Sequence, residues 1–409
     1  MTEILIPILL ALILGYLATV IARVTGTVYI PYLLLLGILF GPMLYLINPD
    51  EAATLFYKYI GPIGAAFIIL DESSKISRYT LRRIWKPTIT LITFVLFVTG
   101  ILIGLFSILI LKSPIWVGFI IGAIITSTDP ASIIPSLKKS RVGETPSVLL
   151  ITESVFNDPF SYMFLVVVMA VFMPNEIRTL QSPFFHINNI AIYLILSQIL
   201  IPIIVSISLF YLMRNLRIFF PNDFKEYYTA MILLFGLSVY SITVALGGSG
   251  YMAIAIFGIM SGNYMPKDKE MENYQIFMDD ITQFFVVMIF VFLGASIDLS
   301  FISKYLLDGI LIAVFLIFGI RPLSVILAGS IDKNVKTSDM IFVGFEGTRG
   351  VFPAILAPTI LVLGIENQNV IFTYWGKTIE AIIIVIIFTS LTIQPLFMGR
   401  LYSYLNRNR

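Results

Sequence analysis

Thirteen long apolar stretches run through the 409-residue chain, separated by short polar connections. Each is close to the roughly 20 residues that a helix needs to cross a bilayer. Inside the hydrocarbon layer every backbone polar group has to bond within the chain, so stretches of this kind form helices. The sequence therefore predicts an all-α polytopic membrane protein. The predicted spans lie near 4–22, 28–47, 55–72, 87–111, 114–137, 145–173, 188–213, 227–246, 250–263, 281–297, 305–329, 338–363 and 378–399.

The composition excludes several other classes of protein. Hydrophobic residues make up 58% of the chain and charged residues only 12%, whereas a soluble domain carries about 25% charged residues. The net charge of +2, without a basic tract, gives no basis for binding nucleic acid. The chain has no cysteine, and its one histidine is His186. Thiolate and imidazole metal sites are therefore excluded, and we expect no cofactor.

The distribution of Lys and Arg predicts how the chain is oriented. With thirteen spans, nineteen of these residues fall on one side of the membrane and five on the other. Because Lys and Arg concentrate in cytoplasmic loops, we expect a cell-membrane protein with the N-terminus outside and the C-terminus in the cytoplasm. Only a short basic tail follows Arg400. We expect one membrane transport domain over residues 1–409 and no bound nucleotide.

Three separated pairs of segments resemble one another at offsets of 220 to 223 residues, which indicates an internal duplication. The offset relates repeat one, about 4–173, to repeat two, about 227–399, with a connecting helix at about 188–213. Two six-helix units joined by a seventh helix have opposite orientations, as in the inverted repeats of secondary transporters. The matched segments are Gly26, Gly37 and Gly41 with Gly247, Gly258 and Gly262; 67–77 with 290–300; and the surroundings of Thr128 with those of Thr348.

Spans five and twelve contain residues that interrupt a helix. In span five Pro130 follows Asp129, and in span twelve the segment 344–350 contains three glycines and precedes Pro353. Proline and clustered glycine disfavour a continuous helix. Irregular backbone inside a membrane is tolerated where it lines a cavity. We therefore predict that both helices are broken and cross at the midplane.

Charged residues inside the spans are candidate functional residues, because each costs about 2.5–3.5 kcal/mol to insert. On span six, Ser154 and Asp158 are four residues apart and share one face. Together with Asp129 they would supply carboxylate and hydroxyl oxygens, which suit a small hard cation. Crowded carboxylates also favour protons. The pattern predicts a site at which a cation and protons compete.

The remaining intramembrane charges admit several interpretations. Charge balance predicts that Arg321 pairs with Glu153, and Glu346 is a candidate partner for Arg349. Asn157 is expected to bond the unwound backbone as a structural bridge. Asp129 alternatively caps the second half of span five. In span three Asp71 and Glu72 are adjacent, and either can be an interfacial residue.

Three motifs together resemble the monovalent cation/proton antiporters, specifically the NhaP-type sodium/proton antiporters of archaea and bacteria. They are 128–130 (Thr-Asp-Pro), 153–159 with its Asn157–Asp158 pair, and 347–350 (Gly-Thr-Arg-Gly), and the resemblance extends over essentially the whole chain. It implies that Asp158 carries sodium (or lithium) and protons. It also implies a homodimer in the bilayer, elevator-like movement and electroneutral exchange. By the same resemblance the metal ligands are Asp158, Asp129, Ser154, Thr128 and Glu72, with Asn157, Glu153, Arg321 and Arg349 structural at the site.

Three alternatives remain open. A potassium/proton antiporter of the Kef type is the nearest, and the Asn157–Asp158 pair argues against it. An intramembrane protease is disfavoured because the chain lacks a Gly-x-Gly-Asp stretch, so we expect no enzymatic activity. A passive channel differs from an exchanger in that its flux does not reverse with an imposed pH gradient.

Overall fold

A computed structural model describes residues 2–129, 137, 142–174, 190–264, 269–329 and 335–407. Two features of the sequence lie outside these residues, namely Pro130 and the single histidine, His186. No strand occurs in the described ranges, which confirms the all-α class.

Fourteen main helices in the described residues follow the predicted spans. Helices α1 to α11 fall on spans one to eleven, α12 and α13 share span twelve, and α14 is span thirteen. Nine helices in the described part of the chain are long and apolar enough to cross a membrane. The helices are α1 Thr2–Thr25, α2 Ile30–Met43, α3 Pro49–Ser74, α4 Arg78–Leu111, α5 Ile115–Ile124, α6 Glu144–Phe172, α7 Ile192–Phe219, α8 Tyr228–Ala245, α9 Gly250–Tyr264, α10 Lys269–Ser296, α11 Leu299–Gly329, α12 Thr337–Phe345, α13 Val351–Glu366 and α14 Val370–Leu405.

Several of these helices begin at a side-chain cap, and in three of them the cap is Asn or Asp. Asn48 accepts a hydrogen bond from the backbone of Asp50 at the start of α3. Asp298 accepts one from Ser300 at the start of α11, and Asn369 accepts from two backbone amides at the start of α14. These caps satisfy amide groups that the first turn of a helix leaves without partners.

The described chain divides into two compact units. The first comprises Met1–Ile63, Lys86–Asn157 and Phe284–Arg409. Within it α2 packs closely on α10, because Gly37 and Gly41 lie against backbone atoms of Val291 and Ala295. A side chain at either glycine would overlap those atoms. The small residues therefore allow two helix backbones to approach, as is common inside membranes.

The second unit comprises Gly64–Trp85 and Asp158–Gln283. Within it α9 packs on the end of α3, where Gly258 and Gly262 lie against Ser73 and Ser74. The amide of Asn263 adds a hydrogen bond of 2.7 Å to the carbonyl of Ile76.

Candidate cation site

Helix α5 ends halfway along the predicted fifth span. It stops at Ile124, and residues 125–129 are not helical. The hydroxyl of Thr126 donates to the carbonyl of Ala123 at 2.7 Å, in place of a continuing helical bond. Thr128 and Asp129 are both buried. The segment therefore places polar groups of the unwound backbone inside the first unit.

The predicted break in span twelve is present between α12 and α13. Residues 346–350 are not helical, and α14 supports both sides of the gap. The amide of Gln394 donates to the carbonyl of Phe345 at 2.8 Å, and the backbone N–H of Arg349 donates to the hydroxyl of Ser390 at 3.1 Å. The last helix therefore satisfies backbone groups that the break would leave without partners.

The two unwound segments contact each other directly. The backbone N–H of Asp129 donates to the carbonyl of Thr348 at 3.0 Å. Nη1 of Arg349 donates to the carbonyls of Thr126 and Ser127 at 2.7 and 2.9 Å. Arg349 is fully buried, and its Nε and Nη2 atoms have no hydrogen-bond partner in the described residues. Its positive charge therefore lies at the carbonyl end of α5, where a helix dipole favours a cation.

The glycines of the 347–350 motif make room for two charged side chains. A Cβ at Gly347 would overlap the guanidinium of Arg321, and a Cβ at Gly350 would overlap the carboxylate of Asp129. The backbone of the broken helix is thus in van der Waals contact with both charges. Only glycine permits this approach.

Arg321 and Glu153 form the ion pair that charge balance predicts. Nη1 and Nη2 of Arg321 lie 3.1 and 3.2 Å from the two carboxylate oxygens of Glu153. Arg321 also donates to the carbonyl of Glu346 from Nε and Nη2, at 3.1 and 2.9 Å. Both charged side chains are buried. One guanidinium therefore links α11, α6 and the end of α12.

The predicted pairing of Glu346 with Arg349 is wrong. Neither carboxylate oxygen of Glu346 has a hydrogen-bond partner in the described ranges, although the residue is buried. The cause is local: the carbonyl of Glu346 binds Arg321, while Arg349 binds carbonyls of the unwound segment that follows α5.

Helix α6 contacts the unwound segment through two polar side chains. The hydroxyl of Ser154 donates to the carbonyl of Thr128 at 2.7 Å. The amide of Asn157 donates to the hydroxyl of Thr128 at 3.3 Å and to Glu153 at 3.1 Å. Asn157 is a bridge, as predicted, but it bonds side chains and not the unwound backbone. Ser154 is the residue that bonds the backbone.

Asp158 follows Asn157 on α6 and belongs to the second unit. It is 4% exposed and comes one helical turn after Ser154. No group of three or more His, Asp or Glu side chains that could hold a metal ion occurs in the described part of the chain. Candidate cation ligands therefore combine carboxylate oxygens with hydroxyl and backbone oxygens.

The two acidic residues of α3 have different surroundings in the second unit. Asp71 is buried, binds Lys75 at 2.7 Å and accepts a hydrogen bond from Thr282 at 3.2 Å. Burial by itself lowers the pKa of Lys75. The carboxylates of Asp71 and Asp279 raise this pKa by more than burial lowers it, so the net shift is upward and the ammonium stays charged. Glu72 is half-buried. Asp71 is thus ion-paired in this structure, and the choice of Glu72 as a ligand stays a prediction.

The sequence analysis missed three polar residues of α14. Ser390 and Gln394 support the break in span twelve, and Glu380 is buried. The sequence did mark these three residues, because each is a polar residue in a largely apolar helix of 36 residues.

Comparisons with known proteins agree with the motifs. A family model described as "Sodium/hydrogen exchanger, transmembrane" matches residues 8–399. The chain is 33% identical to Na(+)/H(+) antiporter 1 of Methanocaldococcus jannaschii, covering 88% of this chain and 84% of that protein. It is 26% identical to a K(+)/H(+) antiporter NhaP2 of Shewanella, of which it spans 62%.

A solved structure has the same fold. The sodium proton antiporter MjNhaP1 from Methanocaldococcus jannaschii at pH 8 superposes with a TM-score of 0.85 at 31% identity, over 98% of this chain and 99% of that one. The family match covers most of the chain, and the described helices carry its unwound, charged core. This chain is a multi-pass membrane protein of the sodium/hydrogen exchanger family.

Proposed function

We propose that the chain exchanges sodium (or lithium) for protons across the cell membrane. The observation that carries the proposal is the buried contact between the unwound segment and α6. There Ser154 bonds the carbonyl of Thr128, next to Asp129 and one turn before Asp158. Sodium/proton exchange is the activity named for relatives that match most of the chain.

Asp158 is proposed to carry both substrates. Asp129, Ser154, Thr128 and Glu72 supply the remaining oxygens, which are hard ligands suited to sodium. A bound cation and bound protons neutralise the same carboxylates, so each weakens binding of the other. Occupancy by one substrate at a time makes the transport an exchange.

The charged residues around these ligands are proposed to be structural. The Arg321–Glu153 pair holds α6 against the end of α12, and Arg349 stabilises the carbonyl end of α5. Asn157 is neutral, so this position adds no second carboxylate beside Asp158. That composition supports a one-for-one, electroneutral exchange.

An inverted repeat of thirteen spans is proposed for the whole chain, with repeats at about 4–173 and 227–399. Two close helix contacts support it. The glycines of α2 pack on α10, and the equivalent glycines of α9 pack on the end of α3. Since α2 corresponds to α9 and α3 to α10, the two contacts are reciprocal, as a duplicated unit requires. We further propose that the protein is a homodimer with its C-terminus in the cytoplasm. In each protomer an ion-carrying helix bundle moves by an elevator mechanism.

The experiment is a cation scan in proteoliposomes that contain a pH-sensitive dye. With an imposed pH gradient, sodium or lithium should release protons, and reversing the gradient should reverse the flux. Asp158→Asn should abolish exchange, while the matched neutralisation Glu366→Gln, at an exposed carboxylate, should not. Proton release by potassium alone would overturn the choice of sodium, and flux that ignores the pH gradient would overturn exchange itself.

A further inference from the structure

A polar cavity of about 630 Å³ lies within the first unit, where α3, α11 and α14 begin. Apart from Leu361 and Ile365 near the end of α13, it is separate from the broken helices, and no residue of the unwound segments or of α6 lines it. Its charged and hydroxyl-bearing lining consists of Tyr45, Asp50 and Tyr57 at and before α3, Ser296, Asp298 and Ser300 at the turn between α10 and α11, and Thr373, Lys377 and Glu380 of α14.

Glu380 is the buried acidic residue of this cavity. It lies three turns into α14 and is 5% exposed. The hydroxyl of Tyr57 donates to Oε1 of Glu380 at 2.8 Å. Within the described ranges this is the one hydrogen bond that the carboxylate accepts, and Glu380 lines the cavity. A buried carboxylate with one hydrogen bond is incompletely compensated, because burial removes the water that would solvate its charge.

The basic side chain that lines the cavity, Lys377, forms its ion pair with Asp298 and not with Glu380. Lys377 is one turn earlier on α14 and binds Asp298 at 2.9 Å. Asp298 in turn caps α11. The cavity is therefore lined by three carboxylates and one ammonium group, and this net negative charge raises the local concentration of cations.

We propose that the cavity is a second binding site for a small monovalent cation, centred on Glu380. The carboxylate of Glu380, with the hydroxyls of Tyr57 and Ser296, gives a set of hard oxygen donors of the kind that binds such ions. The site supplies the cation to the exchanger from the membrane face opposite the C-terminus. The supply role and the identity of the ion as sodium rest on the proposed function, whereas the binding of a cation in the cavity does not.

Single-cysteine labelling tests the site directly, because the natural chain contains no cysteine. Thr373→Cys places a thiol in the cavity lining, and Val370→Cys places one on the same helix end, outside the cavity and 81% exposed. Cationic and anionic thiosulfonate reagents report the local charge. Replacing choline by sodium at constant ionic strength then reports occupancy of the cavity.

At Thr373→Cys, labelling by the cationic reagent should exceed labelling by the anionic one by about fivefold or more, and sodium should slow the cationic reaction. Adding Glu380→Gln should remove the protection by sodium. This change keeps the acceptor for Tyr57, so the fold is retained, and Val370→Cys should show no protection. Equal labelling in sodium and choline, or protection that survives Glu380→Gln, would overturn the proposal.

The same measurement in the Asp158→Asn variant separates this proposal from the proposed function. Protection by sodium should persist in that variant, because Asp158 is not one of the residues that line the cavity. Loss of protection in that variant would assign the effect to the exchange site and overturn the second site.

Sided transport gives the functional consequence. Glu380→Gln should raise the apparent KM for sodium about fivefold when sodium is supplied at the face opposite the C-terminus. It should leave the KM at the other face and the maximal rate unchanged. The exposed-carboxylate control Glu366→Gln should change none of these values, and an equal KM shift at both faces would contradict a local role.

Discussion

Arg321 and Glu153 face each other through two hydrogen bonds of 3.1 and 3.2 Å, in a part of the first unit from which solvent is excluded. A π-helical turn at Leu316–Ile320 immediately precedes Arg321 on α11. The same guanidinium binds the carbonyl of Glu346 at the end of α12. The pair therefore does more than balance charge, because it joins α6, which carries the proposed ligands Ser154 and Asp158, to the broken helix.

Removing one member of this pair should destabilise the protein. Arg321→Ala leaves the carboxylate of Glu153 buried without its counter-charge, which costs about 3–5 kcal/mol. We expect a clearly lower melting temperature in detergent by thermal-shift measurement. Arg82→Ala removes an exposed arginine and serves as the control. An Arg321→Ala protein as stable as this control would contradict the structural role of the pair.

The close contact of Gly350 with Asp129 predicts a loss of transport on adding one methyl group. Gly350→Ala forces the carboxylate of Asp129 to move, and a displacement of about 1 Å at a reacting group costs up to about 100-fold in rate. Gly319→Ala is the matched control, because its added methyl group meets only Phe315 at ordinary contact distance. Exchange rates in proteoliposomes should fall for Gly350→Ala alone. Unchanged exchange by Gly350→Ala would show that the position of Asp129 does not matter.

The support that α14 gives to the break predicts a defect at Gln394. Gln394→Leu leaves the buried carbonyl of Phe345 without its donor, at a cost of about 1–3 kcal/mol. The melting temperature should fall, and exchange with it. Thr392→Val is the control on the same helix, since Thr392 is exposed and bonds only within α14. Equal effects of both changes would show that the bond to Phe345 is unimportant.

The capping residue Asp298 predicts a pH-dependent contribution to stability. Burial raises the pKa of Asp298, but hydrogen bonds from Ser300 and Lys377 outweigh it and hold the pKa below the ordinary 3.8. The stabilisation by this carboxylate is therefore complete at pH values above 3.8, the ordinary pKa. It is lost as the pH falls through the lowered pKa of Asp298 in the folded protein. Asp298→Asn should lower the melting temperature modestly at pH 7. The ion pair of Asp298 with Lys377 is partly exposed, and a pair of this kind contributes about 0–1 kcal/mol.

Thermal unfolding at several pH values checks this prediction. The difference between the Asp298→Asn variant and the natural protein should shrink towards acid pH. A difference that grows as the pH falls would have the wrong sign for a carboxylate with a lowered pKa.

Helix positions were predictable because the bilayer imposes them. An apolar stretch of about 20 residues has one stable backbone conformation in hydrocarbon, and each predicted span accordingly contains a helix in the described ranges. The break in span twelve was predictable from its glycines, because clustered glycine disfavours a continuous helix. The Arg321–Glu153 pair followed from charge balance, since a buried guanidinium needs a counter-charge.

Other features of the site depend on packing that the sequence does not express. Glu346 and Arg349 are three residues apart, yet the side chain of Arg349 binds carbonyls of the unwound segment that follows α5. The support from Ser390 depends on how α14 lies against the break. Glu380 escaped notice because a single acidic residue near a helix end resembles an interfacial one, and its burial becomes evident only when Tyr57 is seen beside it.

The dependence of sodium affinity on pH tests the central proposal most directly. If sodium and protons share the carboxylate of Asp158, the apparent KM for sodium in proteoliposomes should rise with proton concentration on the acid side, by up to about tenfold per pH unit for one competing proton. The maximal rate at saturating sodium should stay constant. A KM that is independent of pH, with a maximal rate that falls instead, would contradict competition for one shared site.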